Sequence, residues 1–332
     1  MSDLLASAGQ HATFASNTRL NPETRLYRPF SLLSALAILA ATNPAPVARA
    51  AESDPCRDIR LRFEAIKPQI SAIEVSLTLF SAVDKNCVDL VTELLDHGAS
   101  VDARDRFGAR PLSHAARFGH LPMVDLLLAR GAPIDARNLA GATALFFAVD
   151  GNHAPVAQRL IDRGADVNLA GRSGVTPVSA AAYRGNDAIV GSLLARGADD
   201  RAPDQTGKTP IVYAAASARI DIVARLMKRD IDINARYPND LTLLMWASGP
   251  DESAPEPQAI KVAQQLLDAG ARIDDRDARG RTALMIAAEG GHAGIANLLL
   301  ARGADLSLKD KAGKRAVDLT KLTSLRERLA VP

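Results

Sequence analysis

Six histidines and two cysteines are the side chains of this 332-residue chain best suited to chemistry. Three histidines could hold a zinc ion, but only if all of them reach it at roughly 2 Å. His120, His153 and His292 each stand ten residues after the same point of a repeating pattern, at Arg110, Thr143 and Thr282. Successive units of stacked helices lie roughly 10 Å apart, so these rings cannot share an ion, and no metal is expected. Nucleophilic chemistry has no better footing. The chain contains no Gly-x-Ser-x-Gly elbow, no phosphate-cradling glycine loop, no Cys-x-x-Cys and no His-Glu-x-x-His. Its aspartates, such as Asp166, Asp199 and Asp305, recur after Gly-Ala at turn positions where a short side chain bonds its own backbone. Neither an enzyme nor a bound cofactor is therefore expected, and the elements that carry these residues become the question.

Those elements repeat. Thr143, Thr176, Thr209, Thr242 and Thr282 are separated by 33, 33, 33 and 40 residues. An independent marker, Gly-Ala at the end of each unit, falls at Gly98, Gly131, Gly164, Gly197, Gly270 and Gly303, with Asp230-Ile231 in the remaining place. Both markers locate one seven-residue insertion between Thr242 and Gly270, in the acidic, proline-rich stretch near 249–257. With Gly-Val-Thr-Pro-Val at 174, Gly-Lys-Thr-Pro-Ile at 207 and the Gly-Ala endings, the chain resembles the ankyrin repeat family. That resemblance implies an all-α repeat solenoid in which each unit is a β-turn followed by two antiparallel helices. Seven units are expected to start at Leu77, Arg110, Thr143, Thr176, Thr209, Thr242 and Thr282, spanning 77–313, with capping helices over 314–332 and an N-terminal cap segment over 51–76.

The physics of one unit is readable locally. Thr176 can accept from an orphan backbone N–H and Pro177 suits a first helical turn. Ala180, Ala181 and Ala182 keep that helix thin, while Ile189, Leu193 and Leu194 recur at helical spacing on the second and are expected inside. A single unit cannot bury both of its faces, so stability is shared between neighbours. Departures mark weak points. The motif histidine is replaced throughout, by Phe80, Ser113, Phe146, Ser179, Val212, Met245 and Met285. Ala218 and Asp230 stand where glycine is wanted, which predicts a soft seam between units five and six. His114, Phe147, Tyr213, Trp246 and Ile286 fall on the inner stripe of the first helices and are expected in the core.

The first fifty residues read as an address. Arg25 and Arg28 precede an apolar run over 29–42, followed by Ala48-Arg49-Ala50. That order predicts a secretory signal cleaved after Ala50, too short to remain as a membrane span, and a periplasmic or secreted product. A cytoplasmic location is the alternative. In an oxidising compartment Cys56 and Cys87 could pair, closing a loop of 31 residues and stabilising the terminus, the alternative being two unlinked thiols. Overall, 40 Lys and Arg oppose 38 Asp and Glu, and residues 51–332 balance at 36 each. No nucleic-acid partner is expected from so even a charge.

What remains is a surface. The family generally binds proteins with its turn tips and the exposed side of its first helices. Mapped by offset from each motif threonine, those positions include Arg106, Phe107, Ala109, Arg117, Phe118, Leu139, Ala142, Asp150, Arg172, Val175, Tyr183, Arg184, Gln205 and Lys208. Arginine among aromatic residues is the composition of binding hot spots. The expectation is a noncatalytic scaffold holding a protein partner whose surface is acidic and partly apolar. A secreted effector bound to a host protein, or a cytosolic adaptor, is the alternative.

Overall fold

The structure, a computed structural model, describes residues 54–66, 71–251 and 254–330. The expected signal and its cleavage site lie outside the described residues. Seventeen helices and no strand occur among the described residues. A capping helix α1 (Pro55–Ile66) is followed by seven helix pairs. They are α2 (Ala72–Asp84) with α3 (Val88–Asp96), α4 (Pro111–Arg117) with α5 (Leu121–Ala129), and α6 (Ala144–Asp150) with α7 (Ala154–Asp162). Next come α8 (Pro177–Arg184) with α9 (Asp187–Ala195), and α10 (Pro210–Ala216) with α11 (Ile220–Met227). Then follow α12 (Leu243–Ser248) with α13 (Glu256–Asp268), and α14 (Ala283–Gly290) with α15 (Ala293–Ala301). Two short helices, α16 (Ala316–Leu319) and α17 (Thr323–Ala330), close the stack. The first helices of the pairs pack successively on one another from α2 to α16, and the second helices do the same from α3 to α15.

Threonine caps and alanine explain the regularity. Thr143, Thr176, Thr242 and Thr282 each accept from the backbone N–H three residues on, at 3.2 to 3.4 Å. One alanine per unit, at Ala115, Ala148, Ala181, Ala214, Ala247 and Ala287, is wholly buried where first helices stack. On the second helices Leu127, Leu160, Leu193, Leu226, Leu266 and Leu299 are likewise wholly buried, repeating at the same steps as the threonines. Leu194, expected inside beside Leu193, is only partly buried, because one residue further rotates a side chain about 100° off the inner stripe. A single apolar core runs from Phe63 in α1 to Leu329 in α17.

Between pairs the chain projects as a hairpin finger. Asp105, Asn138, Asp204, Asp277 and Asp310 each accept at Oδ1 from the backbone N–H groups two and four residues on, which folds the tip. Gly171 and Tyr237 occupy this position in two units, and there the tip is a short 3-10 turn with Ser173 or Asn239 in the left-handed region. Phe146 explains Gly171: a side chain at 171 would collide with the Phe146 ring. The Phe146 ring therefore leaves room only for glycine at 171.

Two of the three periodic histidines, His120 and His153, link neighbouring units. His120 Nε2 reaches the Asp84 carbonyl at 3.0 Å and His153 Nε2 the Arg117 carbonyl at 2.8 Å; Arg219 Nε donates to the Tyr183 carbonyl at 3.0 Å. Each contact spans 36 residues and binds a second-helix start to the first helix of the preceding unit. No cluster able to hold a metal ion occurs among the described residues. Ala218 and Asp230 adopt φ of 55° and 56°, the glycine-favouring region. The insertion crosses that junction: Asp251 N–H donates to the Ala216 carbonyl at 2.9 Å, and Ser217 Oγ lies 3.1 Å from Asp251 Oδ2.

The first unit differs from the rest. No finger occurs in it among the described residues, and α2 begins at Ala72, before the expected start at Leu77, behind a Ser71–Glu74 capping box. Ahead of it, α1 packs on α2 through Phe63, and Cys56 is joined to Cys87 with the two Cα atoms 5.4 Å apart. No described helix is long and apolar enough to cross a membrane.

Candidate partner-binding face

The fingers and the open side of the first helices form one continuous face. The mapped positions on it sort into two clusters with two residues between. Arg106, Phe107 and Arg117 line one groove of about 700 Å3 together with Ile73, Leu77 and His114. Phe107 and Phe118 are about half exposed, and Phe118 stacks beside the His120 ring at 5.9 Å. Leu139, 82% exposed, belongs to this cluster: its N–H donates to the Phe107 carbonyl at 3.0 Å. Arg172 and Gln205 are exposed at the tips of the next two fingers. The second cluster joins Tyr183, Arg184 and Lys208 to Tyr213 and Trp246. Tyr183 and Tyr213 meet edge to face at 6.2 Å, the Arg184 guanidinium lies 5.7 Å from the Tyr183 ring, and Lys208 Nζ lies 5.8 Å from Tyr213 and 5.2 Å from Trp246.

Three mapped positions are not surface. Ala109, Ala142 and Val175 are buried, because the residue just before the helix cap turns under the finger. Asp150 is half-buried and accepts from Arg184 Nη2 at 2.8 Å. Conversely His114, Phe147, Tyr213, Trp246 and Ile286, expected in the core, are only partly buried and floor the open face. The inner side of a first helix is shared between its partner helix and the groove, and helical periodicity does not separate the two. Arg117 lies 4.2 Å from the centre of the Phe147 ring, a cation–π contact.

Electrostatics distinguishes this face from the outer one. Outer arginines are paired with aspartates of the preceding unit: Arg130 with Asp96 at 2.9 Å, Arg159 with Asp125, Arg196 with Asp162 at 3.4 Å and Arg302 with Asp268 at 2.8 Å. Each of these pairs, like Arg184–Asp150, spans 34 residues. The position 34 before Arg104 is Ile70, before Arg106 Ala72 and before Arg117 Val83, none of them acidic. Accordingly Arg104, Arg106, Arg117, Arg172 and Lys208 have no carboxylate partner among the described residues.

His114 anchors the groove floor. Its Nδ1 is 2.7 Å from Asp84 Oδ1 and its Nε2 is 3.1 Å from Asp105 Oδ2, a geometry in which both ring nitrogens donate and the imidazole is charged. Burial alone would push its pKa down, but bonds to the two carboxylates outweigh burial and raise it. Asp105 behaves in the opposite sense. Burial would raise its pKa, while the Ala109 and Phe107 N–H groups and His114 lower it, so it stays ionised. At the equivalent place in the fifth unit Tyr213 donates to Asp204 Oδ2 at 2.5 Å, and burial together with that carboxylate pushes the phenol pKa up. These groups fix fingers to helices.

Sequence reasoning missed Ile73, Leu77 and Arg104, three of the groove's lining residues. Offsets from a motif threonine presuppose a finger, which the first unit lacks. The absence of an aspartate 34 residues earlier would have flagged Arg104, Arg106 and Arg117.

Comparison with known proteins agrees with this architecture. Family models described as ankyrin repeats (3 copies) match residues 79–171 and 167–237, and one described as ankyrin repeats (many copies) matches 266–319. The interval left between them contains the insertion of the sixth unit. No curated protein matches the chain.

Proposed function

Because this chain belongs to the ankyrin-repeat family, whose repeats serve as protein-interaction modules and are generally noncatalytic, we propose that it is an exported scaffold that holds a partner protein on its finger-and-groove face. The observation that carries the reading is the contrast between the two sides. Outer arginines are neutralised in register, whereas Arg106, Arg117, Arg172 and Lys208 have no carboxylate partner among the described residues, on a face where Phe107, Phe118 and Leu139 are exposed. Apolar side chains flanked by uncompensated cations favour a partner surface that is acidic and partly apolar. Export rests on the apolar run over 29–42 and the small-residue site at Ala48-Arg49-Ala50; an oxidising destination also suits the Cys56–Cys87 pair.

The test is co-purification from the exported fraction followed by mass spectrometry, with wild type and a Phe118→Ala, Arg106→Ala double variant. Arg184 suits this test less well, since its pair with Asp150 mixes stability with capture. Loss of one specific protein from the double variant at unchanged melting temperature is the expected result. Undiminished capture would refute the use of this face. Protein delivered into a target cell, rather than held outside the cytoplasm, would favour the effector reading instead.

A further inference from the structure

The groove at the N-terminal end of this face has an origin of its own. In four places a finger is tied to its predecessor by one backbone bond: Leu139 N–H to the Phe107 carbonyl, Gln205 to Ser173, Ala278 to Asn239 and Lys311 to Arg279, at 2.8 to 3.0 Å. Each donor lies four residues before the first-helix cap of its unit. The equivalent donor of the second unit is Arg106, whose N–H has no acceptor among the described residues. The volume that a first finger would occupy is the groove of about 700 Å3, within the roughly 300–1,000 Å3 typical of ligand sites. Its floor is apolar, with Ile73 and Leu77 exposed at 73% and 62% beside Phe107. Arg104, Arg106 and Arg117 border it, and the Asp105 carboxylate within it is already engaged by His114 and two backbone amides.

We propose that this groove binds an extended, acidic and apolar peptide segment of the partner protein, which takes the place of the missing first finger. This rests on the partner-binding reading above and narrows it to one end of the face and one form of ligand. A carbonyl of the segment accepts from the Arg106 N–H, continuing the finger-to-finger ladder in the manner of strand addition. Carboxylates of the segment neutralise the three arginines, and its aliphatic or aromatic side chains cover Ile73, Leu77 and Phe107. The leader of this same chain is the wrong occupant by charge, since residues 1–50 carry four arginines against two acidic residues.

The experiment uses fluorescence anisotropy with a fluorescein-labelled peptide of about eight residues, roughly 26 Å when extended, alternating Glu with Leu and Phe. Two control peptides replace Glu by Lys, or Leu and Phe by Ser. The acidic apolar peptide is expected to bind at least about tenfold more tightly than either control, and to lose at least about tenfold with the Arg104→Ala, Arg106→Ala double variant or with Leu77→Ser. Lys208→Ala, distant on the same face, should leave its affinity unchanged. Equal binding of the Lys peptide, undiminished binding by the groove variants, or loss with Lys208→Ala would overturn the proposal. So would absence of binding while Phe118 and Arg106 remain necessary for partner capture, and in that case the broader reading survives. Self-association in sedimentation that the groove variants abolish would assign the groove to a second copy and also overturn it. Melting curves of each variant show whether the fold is retained; Leu77 and both arginines are exposed, so unchanged melting temperatures are expected.

Discussion

Reduction of the Cys56–Cys87 bridge should detach the N-terminal cap without melting the stack. The bridge closes 31 residues, for which chain entropy assigns about 3.7 kcal/mol against the open chain. Once it is broken, α1 is held by non-covalent contacts alone, Ile59 and Phe63 among them. Among the described side chains of α1 Phe63 is the buried one, worth about 1.5–3 kcal/mol. The Arg60–Glu93 pair, at 2.5 Å and partly exposed, adds no more than about 1 kcal/mol. Against this, a helix of 12 residues is marginal in water by itself. Hydrogen exchange read by mass spectrometry, with and without dithiothreitol, resolves the outcome. Amides of 58–66 should lose protection on reduction, those of α2 and α3 should lose less, and those from α6 onward should not change. Labelling of both cysteines in the untreated, exported protein, or retention of α1 protection after reduction, would refute the reasoning.

Three further outcomes follow from named contacts. His114 between Asp84 and Asp105 has a raised pKa, so the stability it contributes is complete below its unfolded value of about 6.5 and is lost as pH rises through the folded value. The gap in melting temperature between wild type and His114→Gln should therefore be widest near pH 5.5 and shrink toward pH 9; a gap that grows with pH would contradict this. Asp230→Gly should stabilise by about 0.5–1 kcal/mol in urea unfolding, because the residue sits at φ 56° where six other units have glycine with nothing nearby; a loss of stability would count against the soft seam. Leu193→Ala should cost about 2–5 kcal/mol and Leu194→Ala distinctly less, and the reverse order would refute the inward register.

Most of the fold was legible because the repeat restates each rule several times. Thr143, Thr176, Thr242 and Thr282 cap as their type and spacing require, and the closing glycines take positive φ. Two of the three periodic histidines, His120 and His153, reach backbone carbonyls of the preceding unit. Exceptions arose where a local rule met a non-local fact. Phe147, Tyr213 and Trp246 share the period of core residues, yet their side of the helix is only half covered. Ala109, Ala142 and Val175 look like loop positions and are roofed by the finger that contains them. Which arginines lack partners depends on aspartates one unit away, a spacing of 34 that emerges only when helices are stacked in register. The groove was hidden for a related reason. It exists because something is missing from the first unit, and a pattern search is keyed to what is present.

The central claim, that the face carrying Phe107 is where another protein sits, is tested most directly by site-specific photocross-linking in the cell that produces it. Benzoylphenylalanine is placed at Phe107 in one variant and at Ala188, exposed on α9 of the outer layer, in another. The account predicts a discrete cross-linked protein from position 107 and none from 188. A product from 188 alone, or identical products from both, would contradict it.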